Sequence, residues 1–441
     1  MKKIAIKIIN KLVKNGYKAY FAGGYVRDML MGKVSKDIDI ITSAKPDEIE
    51  RLFSKTIPVG KDFGVIIVVS GGHNFEVATF RKESCYNDKR RPGKVSFTDA
   101  QTDASRRDFT VNAVFYDPLK NKIIDFVGGV DDIKKRTIRF IGNPIERIKE
   151  DPLRLIRAIR FKSTLNFQYD KNTFNAIRQC SDQIKSVSAE RIRDELNKIL
   201  TSSKRHTALI ELSESNLLSY IIPEIEDLKG VPQPVSYHKE GDVFTHTYLA
   251  LKSLPDNSDL RLCWATLLHD IGKPPTLIRK KGKIIFHDHA QKSAEMSDEI
   301  FNRLKFTKTD KDAVVFLVKN HMKMAQLSEM RPGKKLALLT HPLVDDLVKL
   351  VEADQKGKIP PELDFIENIK NEIKNAKNIK SKIDSKKNKI INGDILIKLG
   401  FQEGPLIKNI LDDVSDKIAE NKIKSQSEAI AYIKSKYNEN K

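Results

Sequence analysis

The stretch AGGYVRDMLMGKVSKDIDI (residues 22–40) combines a glycine pair with two closely spaced aspartates. Gly23 and Gly24 follow a β-rich run and precede a predicted helix, where small residues let a phosphate group approach the backbone N–H groups. Arg27 adds a planar guanidinium suited to phosphate oxygens. Asp37 and Asp39 are two apart in a β-branched run, so their carboxylates share one face of a predicted strand and could hold Mg²⁺. This predicts catalytic carboxylates beside a phosphate site; the alternatives are a plain turn and an acidic surface pair.

The surrounding 140 residues have the pattern of an α+β domain. Short β-rich runs alternate with turns, which predicts one small sheet: AYFAGG, DIDIIT, FGVIIVV, FEVATF, VNAVFY and KIIDFV. The segment SRRDFTVNA brings Arg106, Arg107, Asp108 and Asn112 onto a probable helix, where Arg107 and Asn112 could bind a nucleotide. Glu76 in FEVATF is a candidate third metal ligand, and the alternative is an outward-pointing strand residue.

Composition narrows the classes of partner. The 441 residues carry a net charge of +20, which favours a polyanionic partner, although a lysine-rich proteome would give the same excess. Cys85, Cys180 and Cys263 are too few and too scattered for a disulfide framework or a zinc knuckle, which fits the cytoplasm. The first 18 residues predict an amphipathic helix and not a signal peptide. No run of about 18 apolar residues exists, so no membrane span is predicted.

Four blocks in order carry a resemblance to a known family. GG-x-VRD, D-x-D, RRDFT-x-NA and EDPLR-x-x-RA-x-RF, followed by SAERIRDEL and INGDILIKLGFQEGP, resemble the class II tRNA nucleotidyltransferases, which are the CCA-adding enzymes and the bacterial poly(A) polymerases. The resemblance implies a polymerase-β-like head, then an all-α neck, HD-type body and tail. It places these domains at residues 1–140, 141–205, 206–370 and 371–441. It also implies two Mg²⁺ ions on Asp37 and Asp39, CTP and ATP as substrates, tRNA as partner with the tail contributing to its binding, and no obligate protein partner.

The neck stretch EDPLRLIRAIRF (150–161) would read the nucleotide base. An ionised aspartate only accepts hydrogen bonds and an arginine only donates them. Asp151 and Arg154, one turn apart on a predicted helix, match the exposed edges of cytosine and adenine, whereas uracil and guanine leave polar groups unpaired. The resemblance assigns Arg157 and Arg160 to nearby nucleotide contacts. The alternative is a solvated salt bridge between residues three apart.

A loop before RRD bears on which nucleotides are added. In CYNDKRRPGKVSF (85–97), Asp88, Arg90 and Arg91 resemble the flexible loop that the family's full CCA-adding members use to switch from C to A addition. Poly(A) polymerases of the family differ from this chain at VGKDFGV (59–65). The resemblance therefore favours complete CCA addition over partial addition or poly(A) synthesis.

A second group of residues, in the predicted body, resembles an HD phosphohydrolase. The pattern consists of His246, His269-Asp270 and Asp354, with further histidines at 287, 289 and 321. Imidazoles mixed with carboxylates suit a transition metal better than Mg²⁺. This predicts a divalent metal and phosphohydrolase or cyclic phosphodiesterase activity, and the alternative is a structural HD fold that cradles RNA.

Together these features predict an enzyme that adds CMP and AMP to tRNA 3′ ends and releases pyrophosphate. The alternatives are a CC-only or A-only enzyme, a poly(A) polymerase, an HD phosphohydrolase whose head only binds nucleotide, and a non-catalytic RNA-binding protein.

Overall fold

The computed structural model describes residues 1–35, 37–84, 94–234, 238–281, 283–419 and 422–437. Contacts divide the chain into two compact units. The first contains residues 1–226 with 255–257 and 302–306, and the second contains residues 227–254, 258–301 and 307–441. The predicted division into four domains stays a prediction.

The first unit is built on a mixed seven-stranded sheet. Its strands are β1 (Ala19–Ala22), β2 (Asp39–Thr42), β3 (Thr56–Gly60), β4 (Val65–Ser70), β5 (His73–Thr79), β8 (Phe115–Asp117) and β9 (Lys122–Ile124). The order across the sheet is β3-β4-β5-β2-β1-β8-β9, and β2 lies parallel to β5 while every other pair is antiparallel. β6 (Arg81–Ser84) and β7 (Lys94–Phe97) form a separate hairpin. The six β-rich runs of the sequence all contribute a strand to this sheet, so the predicted α+β head is confirmed.

Five helices accompany these strands: α1 (Lys2–Lys14), α2 (Gly23–Leu30), α3 (Pro46–Leu52), α4 (Ala100–Ser105) and α5 (Gly129–Lys134). The predicted amphipathic N-terminal helix corresponds to α1, whose buried face includes Ile8, Ile9 and Leu12. Thr110–Asn112 forms a short 3₁₀ turn.

A helical region completes the first unit. Its helices are α6 (Pro144–Glu150), α7 (Arg154–Leu165), α8 (Lys171–Gln179), α9 (Ala189–Leu200), α10 (Arg205–Glu214), α11 (Leu218–Ile221) and α12 (Pro223–Glu226), with a 3₁₀ segment at Ser181–Ser186. A short parallel pair joins β10 (Thr137–Ile138) and β11 (Gln168–Tyr169). α7 buries Leu155, Ile156 and Ile159, which explains the apolar spacing among its arginines.

The second unit is mainly helical. Its helices are α13 (Val243–Ser253), α14 (Leu260–Leu268), α15 (His289–Arg303), α16 (Lys308–Asn320), α17 (Pro332–Leu339), α18 (Val344–Gly357), α19 (Asp364–Ile390), α20 (Gly393–Lys398), α21 (Pro405–Ala419) and α22 (Gln426–Tyr437). 3₁₀ segments lie at Pro274–Thr276 and His321–Glu329. The lysine-rich stretch 370–390 is part of α19, which buries Ile369, Ile373 and Ala376 on one side.

One local feature of this unit was not predicted. LIRKKGKIIF folds as an antiparallel hairpin of β12 (Leu277–Lys280) and β13 (Lys283–Phe286), in a region where only helices were expected. The run is short and interrupted by three lysines, so its periodicity was too weak to distinguish a strand from a helix. None of the described helices has the length and apolar character that a membrane crossing requires.

We expect Gly129→Ala to destabilise the head. A Cβ atom at Gly129 would lie 2.2 Å from the carbonyl oxygen of Thr110 and 2.6 Å from Cγ2 of Val114. Because a backbone oxygen cannot move aside locally, the overpacking should cost about 1–3 kcal/mol. Thermal unfolding measures the effect, and Gly333→Ala, where a Cβ meets no atom within 4 Å, is the control. Equal midpoints for the two variants would contradict the expectation.

Candidate active site and metal centre

A cavity of about 730 Å³ brings the candidate head and neck residues together. Its walls include ten of the residues predicted from the sequence: Gly24, Arg27, Asp39, Glu76, Arg107, Asn112, Asp151, Arg154, Arg157 and Arg160. Arg81, Arg106, Asp108 and Phe161 also line it. Residues more than 130 positions apart in the sequence thus share one site.

The carboxylates lie at the sheet. Asp39 is the first residue of β2, and because Ile40 pairs with Val77 of the parallel strand β5, Asp39 lies beside Glu76. Burial, followed by the charge of Glu76, raises the pKa of Asp39 to about 6, while Arg107 acts in the opposite direction. Asp37 is exposed and precedes the strand, so the prediction that both aspartates sit on the strand is wrong. Its charge nevertheless contributes to the raised pKa of Asp39.

This cluster fits Mg²⁺. The negative charges of Asp37 and Glu76 raise the pKa of Asp39. A nearby cation would favour its ionised form, and Mg²⁺ prefers such oxygen ligands. Glu76 lines the cavity beside Asp39 and does not point away from it.

Gly23 keeps the space above the carboxylate open. It opens α2 with φ +65°, and a Cβ atom there would lie 3.2 Å from Oδ2 of Asp39. An L-residue would be strained in this conformation and would crowd the carboxylate. Gly24 lies next to the guanidinium of Arg27, with its ideal Cβ position 3.5 Å from Nη2. The more constrained glycine is thus Gly23.

Two arginines are fixed at the other side of the glycine turn. Nη1 of Arg27 donates to Oδ1 of Asn112 at 2.7 Å, and its Nε donates to Oδ1 of Asp28 at 2.9 Å. Arg107 donates from Nη1 to the backbone oxygen of Asn112 at 3.1 Å and from Nε to the buried Asp103 at 3.2 Å. These contacts hold both guanidinium groups at the cavity wall with little freedom, as recognition of a phosphate requires.

Asp108 connects this arrangement to α7. Its Oδ2 accepts hydrogen bonds from Nε and Nη2 of Arg157 at 2.9 and 2.5 Å, and its Oδ1 accepts one from Nδ2 of Asn112 at 3.3 Å. Burial opposes ionisation of this carboxyl, but the charge and hydrogen bonds of Arg157 outweigh it and lower its pKa to about 2. Asp108 was named in the sequence without a role, because nothing local showed that its partner lies 49 positions further on.

Asp151 and Arg154 both line the cavity, but not as one turn of a helix. Asp151 follows the last residue of α6 in an extended conformation, and Arg154 is the first residue of α7. Oδ2 of Asp151 accepts from Nη2 of Arg191 at 2.9 Å. Arg154 is 6% exposed and donates from Nη1 to Glu150 at 2.7 Å. The structure therefore shows neither the predicted shared helix nor the alternative salt bridge between Asp151 and Arg154.

The segment SAERIRDEL supplies partners that the sequence did not identify. Arg191 holds Asp151, and Glu195, which is buried, forms an ion pair with Arg160 whose Nε–Oε2 distance is 2.6 Å. Glu195 lies on the buried face of α9, between Ile192 and Ile199. A carboxylate on an otherwise apolar helix face was the available signal, because a buried charge requires a partner. The loop candidates Asp88, Arg90 and Arg91 lie outside the described residues.

The HD residues form a buried cluster in the second unit. Nε2 of His246 lies 2.9 Å from Oδ1 of Asp354 and 3.3 Å from Nε2 of His269. Nε2 of His269 lies 3.3 Å from Oδ2 of Asp270. The ligand atoms of His246, His269 and Asp354 are all within 4.8 Å of one another.

A second set of ligand atoms adjoins the first. Asp270, His289 and His321 also bring their ligand atoms within 4.8 Å, and Oδ1 of Asp270 lies 3.4 Å from Nε2 of His289. Asp270 thus faces both sets. His287 is exposed and takes no part. Oδ2 of Asp270 forms an ion pair with Nζ of Lys273 at 2.7 Å. Nε2 of His289 is buried without a hydrogen-bond partner among the described residues, as expected of an atom that faces a metal ion.

Hydrogen bonds at Nδ1 orient all four histidines in the same way. Nδ1 faces Oε1 of Glu240 in His246, at 3.2 Å, and the carbonyl oxygen of Thr266 in His269, at 2.8 Å. His289 and His321 face backbone carbonyls at 3.3 and 2.6 Å. An imidazole that donates from Nδ1 has its Nε2 lone pair free for a metal. Glu240, which the sequence analysis did not select, fixes this tautomer in His246.

We expect Asp108→Asn to weaken folding in a pH-dependent way. The pKa of Asp108 is about 2 in the folded protein against 3.8 ordinarily, so its ionisation stabilises the fold above pH 3.8, and this contribution is lost as the pH falls through 2. The variant should be less stable by about 2 kcal/mol at pH 7, and the difference should shrink below pH 4. Urea unfolding between pH 7 and pH 2 measures it, with the exposed Asp131→Asn as control. A difference independent of pH would contradict the expectation.

Comparisons with known proteins agree with this geometry. The family model of the Poly A polymerase head domain matches residues 19–139. The model of the probable RNA and SrmB-binding site of polymerase A matches residues 166–229, and the HD domain model matches residues 243–358. These three segments contain most of the residues described above.

Individual relatives point the same way. A CCA-adding enzyme of Ligilactobacillus salivarius is 40% identical over 277 residues, which cover 62% of this chain and 63% of that protein, so the match spans less than two thirds of this relative. A CCA-adding enzyme of Streptococcus gordonii is 29% identical over 98% of this chain and 97% of its own length. The crystal structure of the Bacillus stearothermophilus CCA-adding enzyme in complex with CTP superposes with a TM-score of 0.70, at 25% identity and with 99% of this chain and 98% of that chain covered. The chain is therefore similar to CCA-adding enzymes over nearly its whole length, and residues 243–358 match the HD domain model.

Proposed function

We propose that the chain adds CMP and AMP to the 3′ end of tRNA, using CTP and ATP and releasing pyrophosphate. The observation that carries this proposal is the single cavity in which Asp39 and Glu76 face arginines together with Asp151. The relative that superposes at a TM-score of 0.70 was crystallised with CTP. The buried free thiols of Cys180 and Cys263 are compatible with a reducing compartment, and we place the enzyme in the cytoplasm.

In this reaction the tRNA 3′-hydroxyl attacks the α-phosphate of the nucleotide in line with the leaving pyrophosphate. Two bound Mg²⁺ ions would supply Lewis-acid stabilisation of the charge on the phosphates. Asp39 and Asp37 would hold these ions with help from Glu76. Arg27 and Arg107, already immobilised by Asn112, would bind the triphosphate and orient it.

We further propose that Asp151 and Arg154 act as a protein template for the base. Asp151 keeps acceptor capacity on both oxygens, since each receives a single hydrogen bond, from Leu153 and from Arg191. Nη2 of Arg154 has one weak contact, at 3.4 Å, and can turn to a base acceptor. The contacts with Arg191 and Glu150 hold the two groups in place before the nucleotide arrives, which lowers the cost of ordering them.

The net charge of +20 supports binding of tRNA phosphates, which should weaken steeply with salt. Partial addition of only C or only A, and poly(A) synthesis, use the same cavity chemistry. Assays with tRNAs that end at the discriminator base, at C and at CC, each supplied with single nucleotides, distinguish these activities.

We expect Asp39→Asn to abolish nucleotide addition. Loss of a metal ligand removes several kcal/mol of transition-state stabilisation, which corresponds to about a thousandfold or more in rate. Incorporation of labelled CMP and AMP into tRNA measures it. Asp47→Asn, on an exposed part of α3, is the control. Substantial activity in Asp39→Asn would refute the catalytic assignment.

We expect Asp151→Asn to relax base selection. The amide replaces an acceptor oxygen with a donor, so the free-energy penalty for binding uracil or guanine becomes smaller. UTP incorporation relative to CTP should therefore rise about tenfold or more. Competition between the four nucleotides measures the ratio, and the exposed Asp182→Asn serves as control. If discrimination is unchanged in a folded variant, the template assignment is wrong.

A second proposal concerns the HD cluster. We infer that it binds divalent transition metal and hydrolyses phosphate esters, because four imidazoles present Nε2 and two aspartates present oxygens at one buried place. This mixed ligand set differs from the oxygen-only set of the head. A purely structural cluster would leave the buried, unpartnered Nε2 of His289 unexplained.

We expect His269→Ala to lose bound metal and Glu240→Gln to weaken metal binding without removing a ligand. Loss of an orienting carboxylate typically lowers metal affinity by about 10- to 100-fold. Mass spectrometry of metal content and titration of the metal-free protein with Ni²⁺ or Mn²⁺ measure these effects. His287→Ala and Glu295→Gln, both exposed, are the matched controls. Unchanged metal content in His269→Ala would refute the site.

A further inference from the structure

The hairpin of β12 and β13 carries an unusual concentration of positive charge. Its cations are Arg279, Lys280, Lys281 and Lys283, all exposed, and the described residues from 277 to 286 include no acid. None of the four forms an ion pair with a described residue. Such a cluster repels itself unless a polyanion neutralises it.

The two faces of the hairpin differ. The register pairs Ile278 with Ile285 and Lys280 with Lys283, which places two exposed isoleucines and two lysines on one face. The isoleucines are 49% and 42% exposed. Ile284 and Phe286, on the opposite face, line the cavity at the HD cluster. The hairpin thus connects an outer basic and apolar face with the metal ligands.

The HD cavity itself admits only a small group. Its volume is about 210 Å³, below the roughly 300–1,000 Å³ of most small-ligand pockets. Lys273 and Lys358 line it beside Asp270 and Asp354, so it combines ammonium groups with metal ligands, as a phosphate site does. A longer substrate must extend outward from this cavity.

We propose that the hairpin binds the sugar-phosphate backbone of single-stranded RNA, and that the terminal phosphate of the same strand enters the HD cavity. The HD site then acts on phosphate-terminated RNA ends in preference to free nucleotides. This inference rests on the proposed HD hydrolysis, in which a water oxygen bonds to phosphorus, the bond between phosphorus and the ribose oxygen breaks, and that oxygen takes the proton. Charge complementarity selects RNA as the occupant, and the isoleucine pair can pack against ribose and base faces.

The test compares two probes on the full-length, metal-loaded protein: 3′-phosphorylated octauridylate and 3′-UMP. The variant K280Q/K281Q/K283Q removes three hairpin charges, and K2Q/K3Q/K7Q removes three exposed charges from α1 as the matched control. Phosphate release gives kcat and KM at several salt concentrations. For the hairpin variant we expect KM for the oligonucleotide to rise about tenfold or more. The slope of log KM against the logarithm of the salt concentration should fall by about two, since each of the three lost single-strand phosphate contacts contributes about 0.7. The kinetics with 3′-UMP should not change.

The outcomes separate the two proposals. Equal effects on both probes, or no preference of the natural protein for the oligonucleotide, would overturn the hairpin assignment and leave HD hydrolysis standing. If neither probe releases phosphate, HD hydrolysis fails, and crosslinking of a 4-thiouridine-containing, 3′-phosphorylated RNA then decides the docking surface by mass spectrometry. Crosslinks on peptides from residues 277–286 support it. The absence of such crosslinks refutes it, and so does binding of the full-length protein through this hairpin to anionic vesicles instead of RNA.

Discussion

The head cavity depends on the hydrogen bonds that the buried carboxylate of Asp108 accepts. One of its oxygens holds Arg157 of α7, and the other holds Asn112, whose own oxygen receives Arg27 of α2. Three segments far apart in the chain therefore meet through one buried anion. Because a buried charge is tolerated only when it is paired, this network fixes the wall that carries the arginines relative to the sheet that carries Asp39.

The opposite wall of the cavity carries negative charge that is not fully paired. Asp39 and Glu76 repel one another at the sheet, and Arg107 compensates only in part. Seven arginines and four carboxylates line the cavity, so it combines a strongly positive wall with an acidic corner. In the proposed transfer reaction, a nucleoside triphosphate would pair with the arginines and Mg²⁺ would pair with the carboxylates.

The HD cluster differs from the head site in its candidate ligands and in how they are held in place. Its histidines are oriented by hydrogen bonds from Nδ1 to backbone carbonyls and to Glu240, so the ligand atoms are preorganised without mutual charge repulsion. Gly357 allows α18 to approach His246 closely, with its ideal Cβ position 3.0 Å from Cε1, and this brings Asp354 of the same helix into the cluster. The chain thus contains an oxygen-rich site suited to Mg²⁺ and a mixed nitrogen and oxygen site suited to a softer metal.

The amino-acid sequence alone determined most strands of the head, the carboxylate Asp39, the glycine pair at the start of α2 and the order of the candidate HD ligands, because local periodicity and short spacings encode them. The family resemblance added the prediction that the neck arginines contact the nucleotide. Only the tertiary structure decided which groups pair: that Glu76 lies beside Asp39 through a parallel strand register, that Arg191 and not Arg154 holds Asp151, and that Glu240 orients His246. The tertiary structure also showed that the short lysine-rich run at residues 277–286 forms a hairpin. These outcomes depend on contacts between residues that are tens of positions apart in the chain. The packing of the folded protein determines such contacts, and no local sequence pattern predicts them.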